Sequence, residues 1–296
     1  IIKPIQMLKT ITPIDNSILV ERNFATDSEI ETVLQNAYEA RNKWKETSLN
    51  ERKEMISNFV KFFLSNNEEI VENLCKQIGR PISQCPGEMR GFEERANYMI
   101  NNADRALEDV VSRKDSEFDN YIKKEPLGTI FVIAPWNYPF NTSVNSIVPS
   151  LLSGNTVILK HSSQTPLCAE QLFDAAIKAS LPKNIFQFLH LDHSSTSKVI
   201  SDNRINHVLF TGSVSGGKEI KKSIGTRFIG AGLELGGKDP AYVRSDCNLE
   251  HAIENLVDGS YFNSGQSCCG IERIYVDEHI FNKFVDGFKS ITEKYI

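Results

Sequence analysis

Between residues 129 and 211 the chain alternates short, almost unbroken apolar runs with helical patterns, and this limits the fold more than any other feature. Thr129-Ile130-Phe131-Val132-Ile133-Ala134 is one run and Thr156-Val157-Ile158-Leu159-Lys160 a second; residues 186–191 and 207–211 form two more. A short apolar run with no polar alternation reads as a strand buried on both faces. Amphipathic patterns fall between the runs, at 142–153, 166–180 and 195–202. Short strands alternating with helices predict an α/β fold, a parallel sheet with helices on both sides.

The region before the sheet reads as helical. Residues 26–44 predict a helix opened by a capping box of Thr26 and Glu29, with Ile30, Val33, Leu34, Ala37, Tyr38 and Trp44 mostly on one face. Ser48 and Glu51 cap a second, which turns Met55, Ile56, Phe59, Val60 and Phe63 inward. A third runs over 67–78 and stops at Gly79-Arg80-Pro81. The charged stretch Asn120-Tyr121-Ile122-Lys123-Lys124-Glu125 predicts an exposed strand or arm. There is no internal repeat and no low-complexity segment.

With 296 residues the chain has enough length for one large core or two domains. A net charge of −5 argues against a nucleic-acid or anionic-membrane partner, because such binding rests on basic surface. No apolar run approaches the length of a membrane span. The start, Ile1-Ile2-Lys3-Pro4, lacks the apolar core of a signal peptide, and Met7 is a candidate initiator. Cys75, Cys85, Cys168, Cys247, Cys268 and Cys269 form no C-x-x-C pair and no regular spacing, so neither zinc nor a disulfide framework is indicated. Scattered thiols fit a reducing, cytoplasmic setting.

Several segments carry chemistry. There is no G-x-G-x-x-G. Phe210-Thr211-Gly212-Ser213-Val214-Ser215-Gly216-Gly217-Lys218 follows a strand and opens a helix over 218–224. Backbone amides at such a helix start can hold a pyrophosphate, although a glycine-rich turn is as often plain turn chemistry. Lys160 places a cation at the C-terminal end of a neighbouring strand, where ligands of open α/β sheets bind. Cys268 lies in the polar stretch Phe262-Asn263-Ser264-Gly265-Gln266-Ser267-Cys268-Cys269, where a thiol has little packing to do. Glu234 sits in the apolar, glycine-rich Gly232-Leu233-Glu234-Leu235-Gly236-Gly237-Lys238, which predicts a partly desolvated carboxylate. Asn137 lies in Pro135-Trp136-Asn137-Tyr138-Pro139. Nucleophile, base and amide donor are the parts needed for covalent chemistry on a carbonyl. The bland alternatives are a buried structural thiol, a surface glutamate at a strand end and a turn asparagine.

Taken together, these segments resemble the aldehyde dehydrogenase superfamily. The stretch Gly154-Asn155-Thr156-Val157-Ile158-Leu159-Lys160, followed by Gln164-Thr165-Pro166, is similar to that family's cofactor segment. The resemblance implies a Rossmann-like parallel-sheet cofactor domain (1–108 and 127–234), a bridging or oligomerisation arm (109–126) and an incomplete α/β catalytic domain (235–296). It makes Cys268 the nucleophile, Glu234 the general base and Asn137, with the Cys268 N–H, the oxyanion donor. It assigns cofactor contacts to Trp136, Lys160, Ser163, Gly212, Ser213, Gly217, Leu235 and Gly236, and it implies no metal.

The cofactor is NADP or NAD. Ser163 stands where many NAD-preferring members carry a glutamate; a carboxylate would repel a 2′-phosphate and a serine can donate to it, so NADP is favoured. Glu234 favours hydrolysis to the free acid over transfer to coenzyme A. The partner is a small aldehyde, with a small aliphatic aldehyde or semialdehyde preferred, and the full-length form is a homodimer or homotetramer. The chain stops at Ile296, short of the family's usual length, so the expectation is a fragment that is poorly soluble or inactive alone. The alternatives are a truncated, non-catalytic nucleotide-binding or structural protein, or an esterase-type activity without hydride transfer.

Overall fold

A computed structural model describes residues 7–294. Met7 opens the described part; the segment before it, including the start read as no signal peptide, and residues 295–296 lie outside it. The chain forms two compact units that meet in sequence between Glu234 and Leu235, and each is described by itself.

Among the described residues the first unit opens with an antiparallel hairpin, β1 (Met7–Ile11) and β2 (Ile18–Asn23), followed by helices α1 (Asp27–Glu46), α2 (Leu49–Leu64), α3 (Asn67–Ile78) and α4 (Cys85–Leu107). Both capping boxes form, Thr26 with Glu29 and Ser48 with Glu51, which satisfies amides that the first helical turns leave unpaired. Gly79 closes α3 in the left-handed region at φ 68°, where a side chain would be strained. The sequence pattern had shown neither the hairpin nor α4. The buried stripe of α4 runs Cys85, Glu88, Met89, Phe92, Ala96, Ile100 and Ala103; its small and charged members hide the apolar period.

The predicted sheet is present. Its strands are β5 (Thr129–Ala134), β6 (Thr156–His161), β7 (Phe186–Phe188), β8 (Ile205–Gly212) and β9 (Gly230–Leu235), in the order β7-β6-β5-β8-β9. β5 pairs in parallel with both β6 and β8, and β6 with β7. Helices α5 (Pro139–Leu152), α6 (Pro166–Lys178), α7 (His193–Ser201) and α8 (Val214–Ile224) connect them. Successive β5 residues point to opposite faces: Ile130 and Val132 join a core with Phe59, Phe63, Phe92 and Phe140, while Phe131 and Ile133 join another with Leu34, Ala37, Ile220 and Ile224. Burial on both faces is why the strand reads as continuous apolar sequence.

Several boundaries differ from the sequence reading; α5 begins at Pro139 rather than 142. β7 ends at Phe188 rather than 191; the His190 carbonyl instead accepts from the Ala25 amide at 2.8 Å, just before α1. α8 begins at Val214 rather than 218, because Ser213 caps it by accepting from the Gly216 amide.

Between helices and sheet, β3 (Val110–Lys114) and β4 (Asp119–Ile122) form an antiparallel hairpin whose strand residues are all exposed. The arm expected at 120–125 is strand only as far as Ile122.

The second unit has a parallel pair, β10 (Asp239–Val243) and β11 (Ile271–Val276), joined through α9 (Leu249–Tyr261) and a short 3-10 turn (Phe262–Gly265), and then α10 (Phe281–Thr292). Val243, Ile253, Val257 and Phe284 form its small core. Tyr242, Tyr275, Phe281 and Val285 are exposed, as expected of a parallel pair with little cover. No helix among the described residues is long and apolar enough to cross a membrane.

Candidate functional site

The strand order creates a crevice. From β5 the chain moves outward through β6 to β7, then crosses to β8 on the other side of β5. Connections after β5 and β8 therefore diverge, and such switch points are where open α/β sheets bind ligands, at the C-terminal strand ends. In register, Lys160 on β6 and Phe210 on β8 both lie beside Ile133 of β5. Trp136 and Asn137 follow β5, Ser163 follows β6, and Gly212 and Ser213 end β8 and cap α8.

Lys160 is half-buried, and burial lowers its pKa from the ordinary lysine value; it makes no ion pair among the described residues. Its neighbour His161 is buried, with Nδ1 3.0 Å from Thr165 Oγ1 and Nε2 3.2 Å from Ser143 Oγ. Burial, reinforced by the Lys160 charge, pushes the His161 pKa down to about 3, so the ring is neutral at ordinary pH. It ties the end of β6 to α5 and α6.

The turn that follows is held from outside the sheet. The Ser163 carbonyl accepts from Thr10 Oγ1 of β1 at 2.8 Å, and Gln164 Nε2 donates to the carbonyls of Ile11 (2.9 Å) and Gln77 (2.5 Å). Ser163 itself is exposed. The hairpin missed in the sequence thus fixes the backbone at Ser163.

At α8, Ser213 serves as the cap, and its carbonyl accepts from the buried Gly217. The first two amides, of Val214 and Ser215, have no intrahelical partner. A Cβ added at Gly212 or Gly216 would come within 2.6 Å of the Phe210 ring, so glycine lets the helix start close over that ring. A half-buried ammonium, an exposed hydroxyl and a helix N-terminus on one sheet edge suit an elongated, anionic ligand.

Asn137 is half-buried, and its Oδ1 accepts from the Tyr138 amide at 3.1 Å. Its carbonyl accepts from Arg80 Nη2 at 2.7 Å. Arg80 Nη1 pairs with Glu88 Oε2 at 2.7 Å, with both side chains 1% exposed or less. Glu88 Oε1 accepts from the amides of Phe140 (3.0 Å) and Asn141 (2.9 Å), the first turn of α5. Sequence reasoning had used Arg80 only as part of a helix stop and had passed over Glu88. The available signal was a charged residue on the apolar stripe of α4.

Glu234 differs from its expected setting: it is exposed. β9 is the edge strand of the sheet, and its side chains alternate, with Leu233 and Leu235 half-buried and Glu234 on the other side.

In the second unit, Leu235 is half-buried, and a Cβ added at Gly236 would meet nothing within 4 Å. Three successive residues before the cysteine are left-handed: Asn263 at φ 53°, Ser264 at 57° and Gly265 at 72°. Two of these are not glycine, a strain that persists only where surroundings enforce it. Asn263 is fully buried; its carbonyl accepts from the Gln266 amide at 3.0 Å and its Nδ2 donates to the Gln266 carbonyl at 3.2 Å. This loop delivers Cys268 exposed, so core packing does not account for it. Local crowding of its sulfur and, after that, the adjacent Cys269 thiol push its pKa above the ordinary thiol value.

The first unit therefore carries Trp136, Asn137, Lys160, Ser163, Gly212, Ser213, Gly217 and Glu234. Leu235, Gly236 and Cys268 belong to the second. No group of three or more His, Cys, Asp or Glu residues suited to a metal ion occurs among the described residues.

Comparison with known proteins bears on the whole chain. The aldehyde dehydrogenase family model matches residues 3–296. The chain is 28% identical over 290 residues to a D-glyceraldehyde dehydrogenase (NADP(+)) of Picrophilus torridus, covering 98% of this chain and 59% of that protein. It is 30% identical over 279 residues to the NAD(P)+ succinate semialdehyde dehydrogenase Sad of Escherichia coli, covering 94% of this chain and 60% of that one. The fold is similar to that of an NADP-dependent glyceraldehyde-3-phosphate dehydrogenase from Bacillus halodurans solved with NADP, at a TM-score of 0.91 and 26% identity, over 98% of this chain and 62% of the other. The chain thus spans about 60% of the length of the curated relatives it matches. With the family model matched along nearly its whole length, the chain belongs to the aldehyde dehydrogenase family.

Proposed function

We propose that the protein oxidises an aldehyde to the carboxylic acid with NAD(P)+ through a covalent adduct on Cys268. The observation that carries this reading is the exposed Cys268 thiol, presented by a strained, internally bonded loop in a chain of this family. The sulfur attacks the aldehyde carbon and a C–S bond forms. As the sulfur attacks, the thiol's proton passes to solvent water, which the exposed position of Cys268 admits. Asn137 donates its side-chain amide to the carbonyl oxygen as negative charge develops. NAD(P)+, when bound, would supply the hydride acceptor needed for the adduct on Cys268 to become a thioester. Glu234, exposed and so accessible to water, takes a proton from the water that attacks the thioester carbon; the C–S bond breaks, and the acid leaves.

The sheet edge fits such a dinucleotide. Lys160 and Ser163 would hold the adenosine ribose and its substituent, and the start of α8, with Gly212, Ser213 and Gly217, the pyrophosphate. Trp136 would border the site, and Leu235 and Gly236 would pack closely against the cofactor, with no Cβ at Gly236 to intervene. The exposed hairpin of β3 and β4 would be the arm through which subunits pair as a homodimer or homotetramer. The NADP-using relatives and the semialdehyde enzyme among them support a small aldehyde or semialdehyde as substrate.

The first test is a panel of aldehydes offered to the full-length protein with each cofactor, followed by the absorbance of reduced nicotinamide. Turnover is expected; cofactor binding without any hydride transfer would establish the non-catalytic alternative. Higher kcat/KM with NADP than with NAD is expected, and Ser163→Glu should shift that ratio toward NAD by about 10–100-fold, since a carboxylate repels a 2′-phosphate. An unchanged ratio removes Ser163 from the discrimination.

Glu234→Gln should lower steady-state kcat by about 10²–10⁴-fold while leaving a rapid burst of reduced cofactor near one per active site, as thioester accumulates. Loss of the burst together with turnover would place Glu234 in the first half-reaction instead.

A further inference from the structure

We propose that Arg80 and Glu88 are the positioning residues for Asn137, a role that rests on the reading of Asn137 as oxyanion donor. The two side chains form an ion pair that is 1% and 0% exposed. A pair so placed is a poor source of stability, because desolvating both charges offsets most of their attraction, and apolar residues of similar volume commonly do as well. What distinguishes it is where its remaining hydrogen bonds go.

Arg80 Nη2 donates to the Asn137 carbonyl at 2.7 Å, and the guanidinium carbon lies 4.6 Å from the centre of the Tyr138 ring. Glu88 Oε1 accepts from the amides of Phe140 and Asn141, and Oε2 is 3.4 Å from Asn141 Nδ2. Tyr138, the residue before α5, gives that helix no side-chain cap. A carboxylate from α4 does the capping in its place, with its negative charge at the positive end of the helix.

Asn137 therefore lies on a short turn gripped on both sides. The guanidinium holds its own carbonyl, and the carboxylate holds the helix that starts two residues later. Neither residue touches the reacting atoms. Together they set the backbone from which the Asn137 amide projects, and an error of about 1 Å in a group of this kind can cost on the order of 10²-fold in rate.

The test uses the intact protein, with Glu88→Gln and Arg80→Lys. Glutamine keeps the shape of Glu88 but loses its charge; lysine keeps the charge of Arg80 but loses the fork that reaches Glu88 and the Asn137 carbonyl together. Each should lower kcat by about 10–100-fold and leave KM for the cofactor within about threefold. Hydrogen exchange at the Phe140 and Asn141 amides should speed up in Glu88→Gln by about tenfold more than at the β5 amides, which follow global stability.

Repeating both substitutions in an Asn137→Ala background decides the matter. If the pair acts through Asn137, each costs less than about threefold further there. Losses that multiply in full, or a cofactor KM that rises with the fall in kcat, would make the pair merely structural and overturn the proposal. If Asn137→Ala alone retains wild-type turnover, the oxyanion assignment fails first and takes this inference with it. Should Glu88→Gln not fold, Arg80→Lys carries the same comparison.

Discussion

Cys268→Ala should abolish aldehyde oxidation, with kcat falling on the order of 10⁵-fold, because in the proposed mechanism every later step passes through the sulfur–carbon bond. The fold should not suffer: Cys268 is exposed, and it lies outside the core formed by Val243, Ile253, Val257 and Phe284. Thermal unfolding within about 1 °C of the parent is therefore expected, as for a surface substitution. The neighbour separates roles further. Cys269 is also exposed, and its Sγ lies 3.3 Å from Ser267 Oγ. Its replacement by alanine should leave a working enzyme whose Cys268 titrates lower, because a group that raises the Cys268 pKa has gone. Full dehydrogenase turnover by Cys268→Ala, measured as reduced cofactor, would end the covalent mechanism.

The second large effect is on stability. Glu88→Leu removes one partner of a fully buried ion pair and leaves the Arg80 guanidinium without its carboxylate. It also removes the acceptor for the Phe140 and Asn141 amides. Breaking a buried pair from one side costs about 3–5 kcal/mol. Denaturant unfolding followed by a probe in the first unit should read this as a lower midpoint; a loss under about 1 kcal/mol would show that the charge is not held as described. The double replacement Arg80→Met with Glu88→Leu should regain the part of the stability lost to the stranded charge, yet keep the low kcat. That separation of stability from rate distinguishes a pair kept for geometry from one kept for strength.

Much of the first unit was legible because its causes are local. The capping boxes at Thr26 and Ser48 involve residues three apart, and both form as the pattern implies. β5 reads as strand because both its faces are buried, which leaves no polar alternation. The start of α8 was placed late because Ser213 was read as part of a glycine-rich loop rather than as a cap. The β1–β2 hairpin was illegible for a different reason. Its purpose lies 153 residues away, where Thr10 holds the Ser163 carbonyl, and no short-range pattern announces such a bond.

The sequence by itself determined the parallel sheet and most of the helices around it, and it singled out Cys268, Glu234 and Asn137 as candidates, because apolar period, capping chemistry and motif are written in neighbouring positions. Only the tertiary structure decided how those residues are set. It made Glu234 an exposed edge-strand carboxylate rather than a desolvated one, kept His161 neutral, put Cys268 on a strained loop, and brought Arg80 and Glu88 to the turn of Asn137. Burial, and hydrogen bonds between positions tens of residues apart, depend on which surfaces the folded chain brings together, and that information is carried by no single stretch of residues.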